Sequence, residues 1–92
     1  MDENIKIPSQ VLGDSMKLVT DTIDVIRELV IADSDDGLKK MQKISHLVCL
    51  YVMSTHPEFN WHQWDDFNTL DRLSALCSFP SESKRSMKLL LK

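Results

Sequence analysis

Six apolar residues, Leu12, Met16, Val19, Ile23, Ile26 and Val30, recur at alternating spacings of four and three. An α-helix sets such positions on one face, and a strand does not. Val11, Leu18, Val25 and Leu29 widen the stripe on one side. The resulting apolar arc spans roughly 160°, where a surface helix needs roughly 100°. Asp14, Lys17, Asp21, Asp24, Arg27 and Glu28 fill the other side as a solvated face. The pattern predicts a helix over 9–32, entered through Pro8 and Ser9, with residues 1–8 as a frayed lead-in. Asp33-Ser34-Asp35-Asp36-Gly37 ends it, and its acids suit the N-terminus of a following helix. So short a break folds the second helix back on the first.

The second helix is expected over 37–54. Leu38, Met41 and Ile44 are read as facing inward, with Lys39, Lys40, Gln42 and Lys43 outward. From Leu47 to Met53 every residue is apolar, which fits a central helix or a buried strand. No second strand exists to pair with it, so helix is the reading. Thr55-His56-Pro57-Glu58 matches a capping box with proline in the first turn. It predicts a short helix over 57–64, followed by one capped by Asp65 or Asp66 with Phe67, Leu70, Leu73, Leu76 and Cys77 inward. One bent helix over 57–77 fits equally well. After Phe79-Pro80, Ser81 is read as the cap of a last basic helix, 82–92, with Met87, Leu90 and Leu91 on one face. The whole chain is therefore one all-α domain, 1–92, a compact bundle of four or five helices built on an αα-hairpin. Two glycines and three prolines in 92 residues are too few for a β-sandwich.

Charge narrows the function. The net charge is −3, which disfavours general nucleic-acid affinity. Residues 1–36 carry nine acids and three bases, while Lys84, Arg85, Lys88 and Lys92 form an acid-free tail. The two ends can attract each other, within the chain or between copies. No apolar run is long enough to insert into a membrane, and the acidic start is unlike a signal peptide, so a cytoplasmic location is expected. The 82–92 segment lacks the aromatic anchor and wide apolar face of an interfacial helix.

No catalytic or cofactor-binding motif stands out, and no cofactor or metal is expected. Asp33, Asp35, Asp36 and Gly37 resemble a calcium loop but are one residue short, with Lys43 where the terminal Glu belongs. His56, His62, Asp65 and Asp66 are too few and too spread for a metal site. Cys49 and Cys77 sit in apolar contexts that favour inert core thiols, although His46 shares a helix face with Cys49. The expectation is a non-enzymatic protein–protein interaction module: a small regulator, inhibitor or assembly factor. Its partner is another protein, and a homodimer is the simplest form. Its docking residues would be the aromatics Phe59, Trp61, Trp64 and Phe67 and the helix-one flank Val11, Leu18 and Val25. The alternative is a DNA-binding regulator with a helix-turn-helix-like segment at 66–92, contacting DNA through Ser81, Ser83, Lys84, Arg85 and Lys88.

Overall fold

The computed structural model describes residues 9–91 of the chain, with side chains from Leu12 onward. The lead-in 1–8, Pro8 included, the Val11 side chain and Lys92 lie outside the described residues. The rest is all-α: α1 (Ser9–Ile31), α2 (Asp35–Thr55), a single 3-10 turn (Trp61–Gln63), α3 (Asp65–Leu76) and α4 (Pro80–Leu90).

The α1 stripe folds as its spacing predicts. Val19, Ile23, Ile26 and Val30 are buried, and Leu12 and Met16 lean on them half-buried. Ser15 and Thr22 are buried beside the stripe, and the Thr22 hydroxyl donates to the Leu18 carbonyl at 2.7 Å. At its C-terminus α1 closes in a Schellman arrangement. The Asp33 amide donates to the Val30 carbonyl at 3.2 Å and the Ser34 amide to the Leu29 carbonyl at 3.0 Å. Asp33 adopts φ 59°, a left-handed conformation that aspartate tolerates better than most residues. Ser34 then caps α2 at once, its hydroxyl accepting from the Gly37 amide at 3.2 Å. Asp35 and Asp36 fill the first turn, where the exposed amides favour carboxylates.

The α1–α2 hairpin is one layer, and α3 and α4 form the other. Phe67, Leu70 and Leu73 of α3 share one continuous core with both long helices. Met87 of α4 is fully buried, and its sulfur lies 3.9 Å from the Cys77 thiol. Lys84 joins α4 to the hairpin turn by pairing with Asp33 and Asp35. The attraction between acidic and basic segments thus operates within the chain at this point.

Five expectations are corrected. Ile44 points outward and Ser45 takes the buried position, because steps of three from Leu38 to Met41 to Ile44 turn each residue about 60° further round the helix. Thr55 ends α2 instead of capping a new helix; the next residue, His56, closes α2 by donating its amide to the Val52 carbonyl at 2.9 Å. Asp65 and Asp66 lie inside the first turn of α3, after Trp64. The residues 57–64 yield only the 3-10 turn. Ser81 is not a cap either: α4 begins at Pro80, whose missing amide is harmless in a first turn.

The two glycines face opposite surroundings. A Cβ on Gly13 would meet nothing within 4 Å, whereas one on Gly37 would come within 2.8 Å of Leu29 Cδ2 and of the Ser34 hydroxyl. Gly13→Ala is therefore expected to stabilise the fold by about 0.5–1 kcal/mol through helix propensity. Gly37→Ala is expected to bring no gain, because it crowds the capping hydroxyl. Urea unfolding of both variants checks the contrast, and equal gains would contradict the close approach at Gly37.

Candidate functional site

The aromatic segment turns inward. Trp61 is 2% exposed and Phe67 1%, so neither presents a surface to a partner in this fold. The Trp61 indole N–H donates to the His56 carbonyl at 3.2 Å, satisfying the one polar group of that ring. Phe59 meets Trp61 edge-on at 4.7 Å between centroids, and Trp64 and Phe67 tilt against it at 5.9 and 5.6 Å. Phe59 and Trp64 are half-buried against the same core. The docking role expected for Trp61 and Phe67 is replaced by packing. Tryptophans so close to a helix boundary read the same in sequence whether core or interface.

His56 sits beneath this cluster, 1% exposed, with Nε2 2.8 Å from the hydroxyl of Ser15. The pairing resembles a nucleophile beside its base. Both groups are buried, however, and Nδ1 finds no partner among the described residues. Among the described residues no third group orients the ring, and the buried pair ties α1 to the end of α2. Forty-one positions separate the two residues, and no sequence pattern announces the contact.

Other chemistry-bearing groups stay apart. Cys49 and Cys77 are free and buried. Burial pushes both thiols up to about 11, which leaves little thiolate near neutrality. His46, one turn before Cys49, is exposed. His62 stacks edge-on against Phe67 at 5.3 Å. Among the described residues no three His, Cys, Asp or Glu side chains gather as a metal site would require. No described helix is long and apolar enough to cross a membrane.

The basic segment is only partly free. Lys84 lies against Asp33 and Asp35, an environment that raises its pKa and lowers that of Asp33 through the shared hydrogen bond and charge. Ser83 is half-buried, while Ser81, Arg85 and Lys88 are exposed.

Part of the uncovered apolar surface gathers elsewhere, in a groove that Ile31, Leu50, Phe79 and Leu89, though exposed, do not line. Leu18 on α1 and Ile44, Leu47 and Tyr51 on α2 line an open groove with Val48 as its floor. Leu18 is 38% exposed, Ile44 46%, and Leu47 and Tyr51 56% each. Val25, one heptad beyond Leu18, extends the same edge at 45%. Of the expected docking residues, Leu18 and Val25 thus lie on this face, and Ile44, Leu47 and Tyr51 join them. The signal for Leu47 and Tyr51 is the apolar run from Leu47 to Met53. A helix that is apolar all round is one that is covered all round, yet here only Val48, Cys49 and Val52 are buried and Met53 half-buried against the core. A second shallow groove lies between α3 and α4, lined by Arg72, Leu76, Leu89 and Leu90.

Comparison of the chain with protein-family models, curated proteins and solved structures finds no significant match.

Removing the Ser15 hydroxyl leaves buried His56 without its one side-chain hydrogen-bond partner among the described residues. Ser15→Ala is expected to destabilise the fold by about 1–3 kcal/mol, the penalty of an unsatisfied buried polar group. A denaturation midpoint unchanged from the wild type would show that the tie carries no weight.

Proposed function

We propose that this chain is a non-enzymatic protein-interaction module that docks another protein on the α1–α2 face, acting as a regulator, inhibitor or assembly factor. The observation that carries the reading is the second half of α2. It is apolar on every side, and the fold covers only one of them. Covering Leu18, Ile44, Leu47 and Tyr51 contributes on the order of 1 kcal/mol each, since each is roughly half-way out of water already. Those groups give a partner an apolar centre, and the lysines and carboxylates around them form the polar rim typical of an interface. Tyr51 suits the centre because it adds a large rigid area and keeps a hydroxyl for the rim.

The DNA-binding alternative has less support. Its central cation, Lys84, already holds two carboxylates. A phosphate would have to displace both.

Affinity capture from native lysate tests the reading. Wild-type bait is expected to retain protein that survives nuclease treatment. Leu47→Asp bait is expected to lose it while keeping the same circular dichroism, because Leu47 lies on the surface of the folded chain. Capture that nuclease abolishes, or that Leu47→Asp leaves intact, would overturn the docking face.

A further inference from the structure

We infer that the occupant of the α1–α2 face is a second copy of this chain, held by a two-fold axis that runs parallel to the hairpin and sets α1 of each copy across α2 of the other. The inference rests on the docking reading above and names its partner.

Charge around the groove is what selects a second copy. Beside Leu18 and Val25, the next stripe of α1 holds Asp14, Asp21 and Glu28, each three or four residues from an apolar neighbour. Asp21 pairs with Lys17 of its own helix at 2.9 Å. Asp24 and Arg27 pair with each other at 2.6 Å. On the opposite lip, Lys40 and Lys43 stand one turn from Ile44 and Leu47, with Lys40 pairing with Asp36 of its own helix at 3.4 Å. Between Gly37 and Thr55 α2 carries three lysines and no carboxylate. One edge of the groove therefore carries an excess of acids and the other an excess of bases, each with one opposite charge paired along its own helix. A two-fold axis along the helices exchanges those edges, so each acidic lip meets a basic one and the interface is its own complement.

The hairpin fixes the register. The close approach of Leu29 to Gly37 and the contact of Ser15 with His56 mark which levels of α1 and α2 coincide. Rotation about an axis parallel to the helices preserves those levels. It brings Glu28 near Lys40 of the other copy, with Lys43 between the levels of Glu28 and Asp21. Leu47 and Tyr51 then pack against Leu18, with neighbouring helices antiparallel throughout as in an up-down four-helix bundle. A two-fold axis across the helices would put both lysine edges on one side and both carboxylate edges on the other, with no opposite charges in reach. The size also fits. Two helices side by side, each about 10 Å wide and about 30 Å long, present roughly 600 Å² before side-chain relief is counted. A standard interface takes about 800 Å² of accessible surface from each partner.

Sedimentation equilibrium of the purified chain at about 100 µM is the test, a concentration at which even a weak micromolar dimer is populated. The wild type is expected at twice the 10.6 kDa chain mass. Leu47→Asp, which enters a symmetric interface twice, is expected to weaken self-association at least about a hundredfold. Two double variants address the geometry: Lys40→Glu with Lys43→Glu, and Asp21→Lys with Glu28→Lys. Each alone opposes like charges and is expected to be monomeric, and their equimolar mixture is expected to form a heterodimer. A monomeric wild type, a dimer that survives Leu47→Asp, or a mixture that stays monomeric would overturn the inference. A monomeric wild type whose lysate capture still depends on Leu47 would remove the second copy and leave the docking reading standing; Leu47-independent capture removes that reading itself.

Discussion

Phe67, Leu70 and Leu73 of α3 close the core against one side of the α1–α2 hairpin, and the rest of the molecule follows from how short that cover is. A 12-residue helix spans about 18 Å, and α1, at 23 residues, spans about 35 Å. The 11 residues of α4 pack beside α3 near the hairpin turn. Both short helices lie on the same side. The chain has no further described element for the other side, where Leu18, Val25, Ile44, Leu47 and Tyr51 stand in water.

Polar contacts fix the ends of this arrangement, while apolar burial supplies its centre. At the turn, the Schellman closure of α1, the Ser34 cap and the pairing of Lys84 with Asp33 and Asp35 all fall within three successive residues of one another. At the far end, Ser15 reaches His56 and His56 receives Trp61. The hairpin is held in register at two well-separated points, so its open face has a defined shape. A defined shape lowers the ordering cost of binding, which otherwise consumes much of what apolar contact contributes.

The helices were legible in the sequence because their signals are local. The four–three spacing of α1, the acidic break after it and the apolar positions of α3 depend on neighbours within a few turns. Ile44 was misread because its spacing of three from Met41 looks helical while drifting out of the core. Thr55 was misread because a capping-box pattern also occurs where a helix is still running. The Ser15–His56 tie and the Lys84 pairing join residues far apart in the chain, and no periodicity carries that information. The site was half legible. Leu18 and Val25 follow from an arc too wide for one neighbour, whereas Leu47 and Tyr51 read as part of a covered central helix, and only their exposure places them on this face. Trp61 and Phe67 were natural interface anchors by composition, and only their burial separates them from that role.

The central claim is that the α1–α2 face is covered when the protein is engaged. Carbene footprinting reads it directly, by comparing labelling of each side chain in the isolated chain at high dilution and in its assembled state. The account predicts strong protection of Leu47, Tyr51 and Leu18 on assembly, with Leu89 and Phe79 of the α3–α4 side labelled equally in both. Full labelling of Tyr51 and Leu47 in the assembled state, or protection confined to the α3–α4 side, would contradict it.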